Sequence, residues 1–143
     1  MCIRDRANRS ERIAAVMTRF AGTVQRWQAH TGLAPAQTVL AGFSQGAIMS
    51  LESPQTGEPL ASRVVAMSGR FATPPRRAPA GIVWRFIHGD QDAVIPAAFS
   101  AQAAQQLQAL GADARVDRLN GLGHGIDPRA LALLAGALDE GLV

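Results

Sequence analysis

The chain has 143 residues, a length that fits one domain, and its 48% hydrophobic and 17% charged residues exclude a disordered protein. The formal net charge is +3, but the basic residues are arginines scattered along the chain, which argues against a nucleic-acid partner. A single cysteine, Cys2, excludes an internal disulfide and a cysteine-based zinc site.

The sequence indicates neither a membrane span nor a signal peptide. No run approaches the ~18 apolar residues that a membrane-spanning helix requires. The N-terminal stretch is polar and arginine-rich and has no apolar core. We therefore expect a cytoplasmic location, with the alternative that an N-terminal deletion removed a signal. Residues 1–6, MCIRDR, resemble a translated sequencing-adapter run and are predicted to be a non-native or disordered tail.

Residues 10–30 have the periodicity of an amphipathic helix. Ser10 fits the N-cap position, and Gly32 fits a C-terminal stop. The apolar residues recur at helical spacing and form one stripe, made of Ile13, Val16, Met17, Phe20, Val24 and Trp27. A helix leading directly into a strand is typical of α/β proteins.

The next stretch has the pattern of a nucleophile elbow. Residues 39–41 are apolar and β-prone, and they run into Gly42-Phe43-Ser44-Gln45-Gly46, the G-x-S-x-G pattern of a sharp strand-to-helix turn. Side chains at Gly42 and Gly46 are expected to collide with the joined strand and helix. The backbone N–H of Gln45, at the start of the helix, is a candidate oxyanion donor. The alternative is an ordinary glycine-rich turn.

The rest of the chain alternates strands and helices. The helix from Gln45 is expected to end near Pro54, and residues 72–81 form a loop that either faces substrate or merely connects. Strands are predicted at residues 63–69, 82–87 and 114–119. A helix over residues 97–110 is expected to bury Phe99, Ala103, Leu107 and Leu110 on one face. The last helix, capped by Asp127, is expected to bury Leu131, Leu134 and Leu138.

Three polar residues each lie in a loop after a predicted strand: Ser44, Asp92 and His124. The carboxyl ends of parallel strands meet at one sheet edge, so these loops are expected to converge. Nucleophile, acid and base follow in this order along α/β-hydrolase chains. The chemistry requires all three, because an imidazole must take the serine proton and a carboxylate must fix the imidazole tautomer.

Three strings carry a family resemblance: AGFSQGA at 41–47, HGDQDAVIP at 88–96 and GLGHGI at 121–126. Together they resemble the phospholipase/carboxylesterase family of α/β-hydrolases, the acyl-protein-thioesterase-like serine esterases, and a bacterial branch in particular. The resemblance implies that Ser44 is the nucleophile, His124 the general base and acid, and Asp92 the orienting carboxylate. It also implies that Asp90 stabilises a turn and that His88 is not a second base. No cofactor or metal is expected, and the expected substrate is a small ester or thioester.

The resemblance begins near residue 12 and implies a partial α/β-hydrolase fold. We expect a mostly parallel sheet of about four strands flanked by helices, with residues 7–143 forming the C-terminal part of one domain. The resemblance implies that the family's N-terminal strands are missing, and with them a loop that supplies a second oxyanion N–H. The strand at residue 39 would then be an open edge, and a homodimer could form through it. Two functions stay open: an active serine esterase, and a catalytically weak or inactive fragment of one.

Overall fold

The computed structural model describes residues 3–140 and contains one four-stranded parallel sheet in the order β1-β2-β3-β4. The strands are β1 (Val39–Phe43), β2 (Arg63–Met67), β3 (Val83–Gly89) and β4 (Asp113–Leu119). The helices are α1 (Ile3–Thr31), α2 (Gln45–Thr56), α3 (Ala98–Ala109) and α4 (Pro128–Asp139). The predicted fold class, a partial α/β-hydrolase sheet flanked by helices, is confirmed.

The sheet is covered on both faces. On one face, α2 and α3 contribute Ala47, Leu51 and Leu107 to a core with Trp84 and Phe86 of β3. On the other face, α4 packs against β2 and β3 in a second, smaller core. Strands buried on both faces read as continuous apolar runs, and all five residues of β2 are indeed buried. The third cluster lies where α1 meets β1.

The first helix begins earlier than predicted. It starts at Ile3 rather than at residue 10, because the intervening residues include no proline or glycine to break it. Of the predicted tail, Met1 and Cys2 lie outside the described residues, and residues 3–6 belong to α1. The helix ends at Thr31, before Gly32 with a φ of +72°, as the C-terminal stop predicted.

Only part of the apolar stripe on α1 is buried. Met17 is buried, and Phe20 and Val24 pack against the cluster beside β1. Val16 and Trp27, however, are 43% and 65% exposed. The predicted apolar stripe is therefore only partly buried.

The second helix continues through Pro54 to Thr56, two residues beyond the expected end near Pro54. Proline removes the N–H that would bond to the carbonyl of Ser50. The hydroxyl of Ser53 donates to that carbonyl at 3.5 Å instead. Pro54 is also fully buried, and burial of its apolar ring offsets part of the lost hydrogen bond.

Two predicted helix faces are also corrected. On α3, Phe99 and Leu110 are 37% and 46% exposed. On α4, Leu131 and Leu138 are 54% and 39% exposed, and Leu134 is only partly buried. The buried positions are mostly small: Ser100, Ala103, Ala104 and Leu107 on α3, and Ala130 and Ala137 on α4. Helices that pack through alanine lie close to the sheet, and larger neighbours are left at the rim of the contact.

The loop over residues 72–81 is bound to α2. The buried carboxylate of Glu52 accepts the N–H of Ala72 at 2.8 Å and pairs with Arg76 at 3.0 Å. Gln55, one turn later, accepts the N–H of Arg76 at 2.9 Å. Both anchors lie two turns or more along α2 from Ser44, which favours the connector interpretation of this loop over the substrate-facing one.

Within residues 3–140, none of the helices combines the length and the apolar character needed to cross a bilayer.

Candidate active site

Ser44 lies at the sharp turn between β1 and α2. Its backbone has a φ of +55°, a conformation that non-glycine residues rarely adopt. The turn is fixed at both ends, because the Ser44 N–H donates to Met67 at 2.9 Å and its carbonyl accepts the N–H of Ile48 at 3.1 Å. The strain at Ser44 is thus held by β2 on one side and by α2 on the other.

The two glycines of the elbow differ in their surroundings. A Cβ on Gly42 would overlap the carbonyl group of Gly46 and lie 2.6 Å from the nitrogen of Ala47. A Cβ on Gly46 would meet no other atom within 4 Å among the described residues. The expectation of a collision is therefore correct at Gly42 and wrong at Gly46, because it is the backbone of Gly46 itself that crowds Gly42.

Ser44, Asp92 and His124 lie together at the carboxyl edge of the sheet. His124 Nε2 lies 3.0 Å from Ser44 Oγ, and His124 Nδ1 lies 2.8 Å from Asp92 Oδ2. A carboxylate only accepts, so Nδ1 carries the proton and Nε2 is free to accept the serine hydroxyl proton. These three side chains thus form one chain of hydrogen bonds from a hydroxyl to a carboxylate.

Asp92 is buried and held by the loop that carries it. Its Oδ1 accepts the N–H groups of Val94 and Ile95 at 2.8 and 2.9 Å. Burial raises the pKa of Asp92, but the hydrogen bond from His124 and those from Ile95 and Val94 outweigh it. The pKa therefore lies below the ordinary aspartate value, and the carboxyl is ionised at neutral pH.

Two features around the serine and the imidazole favour acyl transfer. Gln45 is the first residue of α2, so its N–H has no carbonyl one turn earlier in the helix to bond. The ring of Phe43 lies 5.0 Å from that of His124, centroid to centroid, and covers one side of the imidazole. The arrangement places a hydroxyl, an imidazole, an ionised carboxylate and a backbone donor side by side, the set of groups that acyl transfer requires.

The two loops that bring Asp92 and His124 together are joined by their own contacts. Asp90 Oδ1 accepts the N–H of Gly121 at 2.7 Å, and Gln91 donates its N–H to Leu122 at 2.9 Å. Asp90 is predicted to stabilise its own turn, but its carboxylate instead joins its loop to the loop that carries His124.

Sequence reasoning missed two residues of this region. Gly89 ends β3 where a Cβ would overlap the carbonyl oxygen of Leu122, so the absence of a side chain admits the His124 loop. His88 is completely buried, and its Nε2 lies 3.2 Å from Asp92 Oδ2. The sequence feature that could have revealed both residues is the His88-Gly89 pair at the end of an apolar strand. A histidine at such a position needs buried polar partners.

β1 has a neighbour on one side only, as predicted. It pairs with β2, and no second partner occurs within residues 3–140. Only Leu40 of its five residues is buried, whereas every residue of β2 is. The strand that carries Ser44 is thus the edge strand of this sheet.

A parallel sheet flanked by helices, with an elbow serine, a carboxylate and a histidine at its carboxyl edge, defines the α/β-hydrolase class. Within that class the family is also established, because the model of the phospholipase/carboxylesterase family matches residues 2–140. The chain belongs to the phospholipase/carboxylesterase family.

Individual relatives agree with this assignment. The chain is 43% identical over 124 residues to esterase YpfH of Escherichia coli strain K12, covering 87% of this chain and 53% of that protein. It is similar to the crystal structure of esterase PE8, with a TM-score of 0.80, 32% identity, and coverage of 90% of this chain and 61% of that one. The carboxylesterase of Bacillus cereus shares the fold, with a TM-score of 0.78, 17% identity, and coverage of 92% and 63%. The chain thus spans about half the length of the curated relative that it matches.

Proposed function

We propose that this chain is a serine hydrolase that cleaves carboxylic esters or thioesters through an acyl-enzyme. The observation that carries the proposal is the hydrogen-bond chain from Ser44 through His124 to Asp92, with links of 3.0 and 2.8 Å. The names of two relatives, esterase YpfH and esterase PE8, support the same reaction class.

In the proposed reaction, Ser44 Oγ attacks the carbonyl carbon and passes its proton to His124 Nε2. The oxyanion that forms faces the N–H of Gln45 at the start of α2. His124 then donates the proton to the leaving alkoxide or thiolate, which departs and leaves the acyl group on Ser44. Asp92 stays ionised throughout and holds the imidazole in one tautomer.

The second half of the reaction repeats these steps with water. His124 Nε2 takes a proton from a water molecule, and the resulting hydroxide attacks the acyl carbon. The tetrahedral intermediate collapses, Ser44 recovers its proton from His124, and the carboxylic acid leaves. Every proton that moves passes through the same imidazole, so no group outside this chain is needed as acid or base.

The test uses a fluorophosphonate probe and a p-nitrophenyl ester of a short acid. We expect the probe to label the chain and the ester to be hydrolysed, with both lost in Ser44→Ala and retained in Ser62→Ala. Ser62 is a matched control, because it is partly buried and lies outside the site. Labelling that persists in Ser44→Ala would contradict the proposal.

A catalytically weak form is the second candidate, and the open edge of β1 favours it. Ser44 follows directly on the edge strand, so the oxyanion side of the site lacks a neighbouring strand among the described residues. Loss of one oxyanion donor costs about 10²- to 10³-fold in rate. Probe labelling of Ser44 without measurable ester turnover would support this candidate, whereas robust hydrolysis of the ester that is lost in Ser44→Ala would exclude it.

We also propose that two copies associate through the outer edge of β1, since unpaired strand edges recruit other strands. A cytoplasmic location, and residues 7–143 as the C-terminal part of one α/β-hydrolase domain, stay predictions. Fractionation of cells that express the tagged chain tests the location.

A further inference from the structure

His88 is a completely buried imidazole with a partner at each ring nitrogen. It is the sixth residue of β3, between apolar positions of that strand, and none of its surface is exposed. Nδ1 lies 2.7 Å from Ser100 Oγ on α3, and Nε2 lies 2.6 Å from the carbonyl oxygen of Ile95. A polar ring at such a site is costly unless both nitrogens are satisfied, and here both are.

The partners fix the direction of these hydrogen bonds. A carbonyl oxygen only accepts, so Nε2 carries a proton and donates it to Ile95. In the neutral ring, Nδ1 then accepts the hydroxyl proton of Ser100. His88 therefore presents its N–H toward the loop that follows β3, and α3 holds the ring from behind.

The imidazole also lies close to Asp92, although its N–H is directed at the Ile95 carbonyl. Nε2 lies 3.2 Å from Asp92 Oδ2, the same oxygen that accepts the hydrogen bond from His124. Ile95 meanwhile donates its own N–H to Asp92 Oδ1 at 2.9 Å. His88 thus reaches both carboxylate oxygens: its Nε2 lies against Oδ2, and its hydrogen bond to the Ile95 carbonyl holds the residue whose N–H binds Oδ1.

We propose that His88 is a positioning residue for the reaction: it holds Asp92 in the orientation that serves His124. The inference rests on the proposed function of Ser44, Asp92 and His124. A chain of side-chain contacts then runs from Ser100 through His88 and Asp92 to His124 and Ser44. An apolar side chain would fill the space in β3 but would leave the Ile95 carbonyl without its donor and would remove one of the contacts that orient Asp92.

The experiment compares His88→Phe, which removes the donor, with His88→Gln, whose amide N–H can take the place of Nε2–H. The first readout is the rate constant for fluorophosphonate labelling of Ser44 at saturating probe. We expect His88→Phe to lower it by about 10- to 100-fold, because small misplacements of catalytic groups cost rates of this order. The apparent affinity for the probe should not change, and His88→Gln should restore most of the rate.

The second readout is independent of catalysis. The proton on His124 Nδ1, in its hydrogen bond to Asp92, gives a low-field ¹H NMR signal. We expect this signal to broaden or vanish in His88→Phe and to persist in His88→Gln, with thermal unfolding measured for both. If the wild type fails to react with the probe, the proposed function fails, while this signal still reports whether His88 positions Asp92.

The outcomes decide between positioning and simple core filling. A folded His88→Phe variant with an unchanged labelling rate and an unchanged low-field signal would overturn the proposal. Equal losses in the Phe and Gln variants would overturn the role of the N–H. If His88→Phe does not fold, Ser100→Ala replaces it: it removes only a hydroxyl, and we expect a smaller loss of rate in the same direction. No change in either readout for Ser100→Ala would then contradict the proposal.

Discussion

Gly89 and Leu122 lie so close that no side chain fits between them: a Cβ on Gly89 would overlap the carbonyl oxygen of Leu122. Gly89 ends β3, and Leu122 precedes His124 by two residues. The contact therefore sets how near the histidine loop approaches the strand that leads to Asp92. Gly89 thereby helps to set the distance between His124 and Asp92.

Gly89→Ala is expected to push the 121–125 loop away from β3. The variant should be less stable by about 2 kcal/mol, a typical cost of overpacking, and the labelling of Ser44 should slow because His124 moves with the loop. Chemical unfolding and the probe labelling rate measure the two effects. Gly125→Ala is the matched control, since a Cβ there meets no other atom within 4 Å among the described residues. Equal labelling rates in the two variants would contradict the argument.

Much of the fold could be predicted because a parallel sheet covered by helices on both faces has a recognisable sequence pattern. Buried strands read as apolar runs, and each predicted strand overlaps an observed one. The convergence of Ser44, Asp92 and His124 also follows from topology: when all strand pairs are parallel, loops at their carboxyl ends meet at one edge.

The remaining features depended on tertiary packing, and the sequence of a single segment does not show which other segments it will contact. Leu131 and Leu138 have the spacing of a buried face, yet α4 turns Ala130 and Ala137 toward the sheet because small residues allow a closer approach. Pro54 reads as a helix stop, but burial and the Ser53 hydroxyl keep it in α2. His88 is one letter in an apolar strand, and its partner Ser100 lies 12 residues away on α3.

Asp92→Asn is expected to abolish most activity and to change the acid stability of the chain. Without the carboxylate, the imidazole tautomer is no longer fixed, and kcat should fall by about 10⁴-fold, the loss that this change causes in a serine protease. Asp92 Oδ2 accepts the hydrogen bond from His124 Nδ1 at 2.8 Å, and this hydrogen bond fixes the tautomer. Hydrolysis of the p-nitrophenyl ester measures the loss.

The same substitution tests the lowered pKa of Asp92. Burial raises this pKa, but the hydrogen bonds from His124, Ile95 and Val94 lower it by more than burial raises it. The pKa of Asp92 in the folded chain therefore lies below the unfolded value of about 3.9. Asp92 therefore contributes stability that is present above pH ~4 and is lost as the pH falls through the folded pKa. When the free energy of unfolding is measured with urea from about pH 5 down to about pH 2, it should fall more for the wild type than for Asp92→Asn. Asp117→Asn, at an exposed position of β4, serves as control and should follow the wild type.

Glu52→Ala is expected to release the loop over residues 72–81. The Glu52 carboxylate is 4% exposed and accepts the N–H of Ala72 and a guanidinium proton of Arg76. Its removal takes the charged acceptor from the N–H of Ala72 and from the guanidinium of Arg76, and the loss of hydrogen bonds to a charged group should destabilise the fold by about 2 kcal/mol. Glu58→Ala is the control at an exposed position. Since Glu52 lies two turns from Ser44, the probe should label both variants at the wild-type rate, and slower labelling of Glu52→Ala would return the loop to the substrate-facing interpretation.

Ala41→Lys tests whether the outer edge of β1 mediates self-association. Ala41 is the exposed middle residue of β1, and one side of that strand has no partner within residues 3–140. A lysine on an edge strand opposes pairing with a second edge, because two copies would bring like charges together. We expect sedimentation velocity to show a dimer for the wild type and a monomer for Ala41→Lys. Ala29→Lys adds the same charge at an exposed position of α1 and should stay dimeric. A dimer that persists in Ala41→Lys, or a wild type that is monomeric at every concentration, would show that β1 is not the interface.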